Sequence, residues 1–178
     1  MRELKPIPEW MKLDMRQMDT GEKQEFGYGY SRKVNNTELW RYANRAIVRR
    51  DSKFKNFEIV QLYPGALLVS DHGRIYSRLS GRIIAKRRFH KRHNEIRALL
   101  ADGIHRIKIR RYRLIIANFL EPPESIRDVI YYLLDTVNHR DSHPWNDRID
   151  NLQYCTRPMN TEHEYKYNPK MKRKKLNE

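Results

Sequence analysis

Cysteine occurs once in these 178 residues, at Cys155, which excludes an internal disulfide and any four-cysteine zinc site. Hydrophobic residues are also scarce. At 39% they fall below the globular norm, so a core can form but not a large one. No apolar run approaches the length that crosses a bilayer. The first ten residues mix Arg2, Glu3, Lys5 and Glu9 with two prolines, unlike a secretory signal, and a cytoplasmic setting is the expectation. Acidic residues are in deficit too: 22 Asp and Glu face 37 Lys and Arg, a formal net charge of +15. A compact body with that charge repels itself unless a polyanion neutralises it, and nucleic acid is the usual one. No long amphipathic basic helix or lipidation motif calls for a membrane surface. The partner expected from charge is therefore a nucleic acid, DNA or RNA, and not a membrane.

The length is that of one compact domain, or of one with an extension. Residues 1–30 read as such an extension, ending in Phe26-Gly27-Tyr28-Gly29-Tyr30, where two glycines among aromatics suggest a loop or hinge. Over 36–50, Leu39, Trp40, Ala43, Ala46 and Ile47 recur at helical spacing. Asn35 followed by Glu38 resembles a capping box, so an amphipathic helix is predicted there. From Phe57 the pattern turns to short strands, over 57–62, 66–70, 75–76 and 82–85. They are punctuated by Tyr63-Pro64-Gly65 and Asp71-His72-Gly73-Arg74. Ile96, Ala98 and Leu100 alternate into Asp102-Gly103, and Ile107 and Ile109 alternate out, which predicts a hairpin closed by a tight two-residue turn. Tyr112 to Leu120 reads as a short, mostly buried helix stopped by Glu121-Pro122-Pro123.

The positive charge is concentrated. Between Arg74 and Arg113 lie 14 Lys or Arg and only two acids, Glu95 and Asp102. Arg82, Lys86, Arg87, Arg88, Lys91 and Arg92 form its dense part and are the candidate phosphate contacts. A solvated face is the plainer alternative, but so strong a concentration favours phosphate. The tail from Lys170 to Lys175 reads as a second basic arm.

Chemistry concentrates near the other end. An apolar segment, Val129 to Val137, leads into Asn138-His139-Arg140-Asp141. A polar loop returns to Leu152-Gln153-Tyr154-Cys155, a second short strand. Thr156 can cap a helix whose first turn accepts Pro158, and that helix sets Asn160 and His163 on one face. Cys155 reads as a small core residue, not a nucleophile. His90 and His93 read as phosphate or solvent contacts, and His143 as a surface group in the loop.

The ordered set Asn138-His139, Asn151-Leu152 twelve residues after His139, and Asn160 nine further resembles the HNH endonucleases of phage and intron homing enzymes. Leu68 to Ser77 is similar to the small module preceding the nuclease domain in many of them, and Arg113 to Phe119 to the helix before their active site. The resemblance spans about residues 57–165. It implies an α+β chain in which a short-stranded basic module precedes a ββα-metal nuclease domain. The segments would be an extension with its amphipathic helix over 1–50, the basic module over 51–110, the nuclease over 111–167 and a basic tail over 168–178.

It also implies roles. His139 would be the general base, Asn151 would fix the loop and orient His139, and Arg113 or Arg148 would assist. Asn138 and Asn160 would ligate one Mg²⁺ or Mn²⁺ ion, with His163 as an alternative to Asn160. Two positions depart from the family pattern. Asn138 stands where relatives often have Asp, and Tyr112 where His is common. An all-amide ligand set holds a hard cation poorly without DNA. The function implied is phosphodiester cleavage in DNA within an infected or host cell. The rival is a catalytically inactive HNH-fold protein that binds nucleic acid in regulation or in a larger assembly.

Overall fold

The computed structural model describes residues 3–49, 57–85, 95–121 and 136–167. They form mixed sheets with few helices. The strands are β1 (Lys12–Leu13), β2 (Glu22–Gln24), β3 (Gly27–Gly29), β4 (Leu39–Tyr42), β5 (Arg45–Arg49), β6 (Phe57–Gln61) and β7 (Leu67–Ser70). After them come β8 (Ile75–Ser77), β9 (Arg82–Ile83), β10 (Glu95–Leu99), β11 (Arg106–Arg110), β12 (Thr136–His139) and β13 (Leu152–Cys155). Helix α1 (Arg111–Phe119) follows β11 directly, and α2 (Arg157–Tyr167) follows β13. One sheet runs β1-β4-β7-β8-β9 and another β12-β13-β3-β2, while β5-β6 and β10-β11 are two-stranded ribbons.

Four expectations are corrected. Among the described residues, 36–49 hold no helix; the segment is two strands, β4 on β7 and β5 on β6. Its periodicity misleads because both faces of β4 are covered. Trp40 points into a small core with Met11, Leu68 and Tyr76, while Arg41 is buried on the other side against Asp14 and the Phe119 ring. Asn35 closes a local turn by accepting from the Thr37 amide, and Glu38 pairs with Arg74.

The second correction concerns residues 26–30. They are no hinge, because Gly27–Gly29 forms the inner strand between β2 and β13. Gly27 has φ +135, and a Cβ there would lie 1.9 Å from the Tyr154 carbonyl oxygen, so only glycine lets the two strands meet. Third, the β10–β11 hairpin forms, but its turn is wider than two residues. Leu99 pairs with Arg106, and the amides of Ile104 and His105 donate to the Asp102 carboxylate. Of the central pair only Gly103 takes a positive φ.

Fourth, residues 3–49 are no peripheral extension. One hydrophobic cluster joins Tyr30, Ile47, Leu67, Ile96, Ile116, Val137 and Leu152, so it runs through every segment from the N-terminal strands to the hairpin. Helix α1 is its axis, with all nine residues buried. Near its end, Asn118 accepts from the amides of Asn44 and Arg45 and donates to the Arg45 carbonyl, which fixes the corner between β4 and β5. The helix ends at Phe119 with Leu120 as its extended cap, one residue short of the end the sequence suggests. Pro122, Pro123, the run from Val129 to Leu134 and the tail from Lys170 lie outside the described residues.

Asp14 anchors the N-terminal segment to this frame through Arg16 at 2.6 Å and the buried Arg41 at 2.9 Å. Burial alone would raise its carboxyl, but the hydrogen bonds from Arg16 and the charge of Arg41 outweigh that, and it lies at about 2. A value depressed from the ordinary 3.8 stabilises the fold above about pH 4, and the contribution is lost as pH falls toward 2. It corresponds to about 2 kcal/mol. Asp14→Asn should lower stability at neutral pH by about that amount and flatten the acid limb, read from denaturant unfolding between pH 2 and 7. An unchanged acid limb would remove the role assigned to this cluster.

Candidate active site and basic surface

The antiparallel register of β12 on β13 pairs Asn138 with Gln153 and His139 with Leu152. Directly opposed residues share a face and successive ones alternate. Asn138 and Gln153 therefore face one side, and His139 and Leu152 the side of the main core. Helix α2 packs against β12. Thr156 begins it by accepting from the Met159 amide, with Pro158 in the first turn.

The loop between the two strands is pinned by Asn151. Its amide oxygen accepts from the Asp141 backbone at 3.0 Å, and its nitrogen donates to the Asp141 carboxylate at 2.9 Å and the Asn146 carbonyl at 2.8 Å. Asp141 also accepts from the His143 amide and the Asn146 side chain. Burial works to raise the Asp141 carboxyl, but these hydrogen bonds prevail and hold it below the ordinary range. Ser142 takes a positive φ of 59 at the tightest point of the loop.

His139, 9% exposed, is the last residue of β12. Its Nε2 lies 3.3 Å from Oδ1 of Asp147, which is itself 2% exposed. The Tyr112 ring meets the imidazole edge-on at 5.3 Å, so the residue that departs from the family pattern packs on the candidate base. The other Asp147 oxygen faces Nε of the buried Arg111 at 3.8 Å. That guanidinium donates to the carbonyls of Gly73 and Ile84. Burial works against its charge, and Asp147 supports it.

Asp147 and Arg111 do not stand out in the sequence. The visible signal is an acid inside the polar loop and an arginine heading α1, but nothing in their spacing joins them. The side-chain hydrogen bonds of Asn151 end on Asp141 and Asn146, not on His139. Arg113 is buried with its guanidinium over the Tyr112 ring at 5.9 Å. Arg148 donates to the Val34 carbonyl and lies 3.4 Å from Asp150, so it is tied to the N-terminal segment.

Asn138 is 3% exposed, and among the described residues its buried Nδ2 has no hydrogen-bond partner. Asn160 is half-buried on the first turn of α2. His163 is taken up elsewhere. Its Nε2 is 3.0 Å from the Arg140 carbonyl oxygen, and its ring packs between Phe26 and Tyr167. Burial lowers its affinity for a proton. A cavity of about 570 Å³ opens beside it, lined by Arg140, Asn151 and Gln153 with Gln24 and Phe26 from the N-terminal strands. Cys155 is fully buried, which pushes its thiol up to about 12 and leaves no thiolate nucleophile. Among the described residues no three His, Cys, Asp or Glu side chains cluster to hold a metal.

Of the candidate phosphate contacts, Arg82 is exposed at the start of β9, and Lys86, Arg87, Arg88, Lys91 and Arg92 lie outside the described residues. The fold creates a second basic surface. On the outer face of the β10–β11 ribbon, Arg97 stands directly opposite Lys108, both exposed, with Arg106 beside them and one acid, Glu95, opposite Arg110. Like charges facing each other across strands destabilise a ribbon unless an anion lies over them.

No family model matches the chain, and no curated protein does. Among solved structures, that of the HNH homing endonuclease I-HmuI, from work on its DNA binding and cleavage, is similar to it. The two share 26% identity over 58% of this chain and 54% of that one, with a TM-score of 0.47. The chain thus spans about half the length of that protein.

The ribbon makes a measurable claim. Arg97→Gln with Lys108→Gln should weaken duplex binding and reduce the log–log salt slope by about 0.9 for each phosphate left without its cation. Affinity measured from low to physiological salt reads it, and an unchanged slope would leave this face without a phosphate role.

Proposed function

We propose that this protein is a divalent-metal-dependent DNA endonuclease of the HNH homing type. The observation that supports this best is the strand–loop–strand–helix unit itself. His139 ends one strand, Asn151 locks the loop that leads away from it, and the helix carrying Asn160 packs against the same strand.

The chemistry follows from these positions. His139 takes a proton from a water whose oxygen attacks phosphorus, and the bond to the leaving sugar oxygen breaks. The amide oxygens of Asn138 and Asn160 would hold one Mg²⁺ or Mn²⁺ ion. When bound, that ion supplies Lewis-acid stabilisation of charge on the phosphate and the leaving oxygen. The buried, unsatisfied end of the Asn138 amide fits such a role. Turned by half a rotation, it presents an oxygen with no donor to meet, which a hard cation satisfies. Neutral ligands bind such an ion weakly, so DNA would bring the remaining charge through its own phosphate oxygens. The basic ribbon and the run before it would hold the duplex.

The amide-only ligand set also favours a second reading, binding without cleavage. Plasmid nicking with Mg²⁺ or Mn²⁺, against a chelator control, separates the two. His139→Ala should cost roughly 10²–10⁴ in cleavage rate and leave DNA affinity nearly intact. Wild-type speed in that variant would remove His139 from the role of base. Asn138→Asp keeps the shape and adds one charge, so it should lower the Mg²⁺ concentration for half-maximal cleavage, while Asn160→Ala raises it or ends activity. If wild type and Asn138→Asp are both inert at every metal concentration, binding without cleavage is the function.

A further inference from the structure

A general base needs its lone pair on a particular nitrogen, and the surroundings of His139 select one. Nε2 faces Oδ1 of Asp147 at 3.3 Å with both side chains buried. An ionised carboxylate only accepts hydrogen bonds, so the nitrogen facing it must carry the proton. A neutral imidazole has one such proton, which leaves the lone pair on Nδ1.

We propose that Asp147 is a positioning residue that fixes His139 as the Nε2–H tautomer and leaves Nδ1 to take the proton from water. The proposal deepens the nuclease reading and rests on it. It also reassigns a role. The resemblance gives the orientation of the base to Asn151, but the bonds of that amide end on Asp141 and Asn146.

Asp147 is held for the task from behind. Arg111 faces its second oxygen, and Arg111 is itself fixed by the Gly73 and Ile84 carbonyls. Gly73, at φ +80, lies so close that a Cβ there would stand 2.7 Å from the Asp147 carbonyl. The carboxylate therefore has a cation on one side and the imidazole on the other. Once Nδ1 takes the water proton, the ring becomes a cation facing that carboxylate. The negative charge that the amide ligands lack is thus supplied on the side of the base.

Asp147→Asn preserves the shape and tests the tautomer. The Arg111 cation attracts the amide oxygen, so the NH₂ turns toward Nε2, donates to it and moves the ring proton to Nδ1. The first measurement is the ¹⁵N shifts of the His139 ring in the full chain at alkaline pH, without DNA or metal, assigned against His139→Ala. Wild type should show a protonated Nε2, and Asp147→Asn a protonated Nδ1. A wild-type ring protonated on Nδ1 overturns the proposal, whether or not any variant folds well.

The second measurement is cleavage. Asp147→Asn should lose roughly 10²–10⁴ in rate at unchanged DNA affinity. Asp147→Ala leaves the ring free to choose its tautomer and should lose less, although it opens a cavity and unpairs Arg111. A purely structural role for Asp147 gives the reverse ranking and sinks the proposal. If wild type cleaves nothing while the ring still carries its proton on Nε2, the nuclease reading fails and the positioning of His139 by Asp147 stands.

Discussion

The contact of Gly73 with Asp147 is the constraint on which the site depends. The turn over residues 71–74 reaches the loop between β12 and β13 through backbone alone, because a side chain at 73 would overlap the Asp147 carbonyl. Around it, the Ile149 amide donates to the Asp71 carbonyl, and Arg111 donates to the Gly73 carbonyl while its charge faces the Asp147 carboxylate at 3.8 Å. The 71–74 turn is therefore joined to the end of the β12–β13 loop and to α1 by short, directional bonds. A shift of the turn would move Asp147, and with it the ring it faces. Burial raises the Asp71 carboxyl, which takes one hydrogen bond from the Leu39 amide and so links the same turn to β4.

That junction explains why buried charge is tolerated here. Arg111, Asp147 and His139 are all nearly excluded from solvent, a costly arrangement for any one of them alone. Together they form a line of cation, carboxylate and imidazole, in which Asp147 lies 3.3 Å from the imidazole and faces the guanidinium at 3.8 Å, an electrostatic contact. Removing the middle member leaves a buried guanidinium uncompensated, which makes the line cooperative and not a sum of pairs. Charge outside the core follows the opposite logic. On the β10–β11 ribbon, Arg97 and Lys108 face each other across the strands, both exposed, with one acid nearby.

How much of this is legible in the sequence depends on the range of the interactions. The spacing of His139, Asn151 and Asn160 is legible because a hairpin and the following helix are local, and their geometry fixes residue separation. The turns at Gly65 and Gly73 are legible for the same reason, and both glycines take the positive φ that such turns need. Residues 36–49 mislead because Trp40 and Arg41 are both buried, on opposite faces, which erases the alternation that marks a strand. Asp102-Gly103 suggests two residues of one turn type, but the Asp102 side chain bonds two following amides and widens the loop. Asp147 is invisible as a partner of His139 because their pairing depends on Arg111 and Gly73, 36 and 74 residues upstream of it.

The N-terminal strands complete the picture, since the hairpin does not stand alone. β13 would present an open edge if it paired only with β12, and β3 occupies that edge. Glycine at 27 permits the approach, and Phe26 beside it packs against His163 of α2. Val34 then donates to the Asp150 carboxylate and accepts from Arg148. Residues 3–49 thus support the β12–β13 pair from its edge, its helix and its loop. A unit of two strands and a helix buries too little by itself to hold a histidine in one position. The strand that covers its edge supplies that rigidity, which is why the segment belongs to the same core as the site.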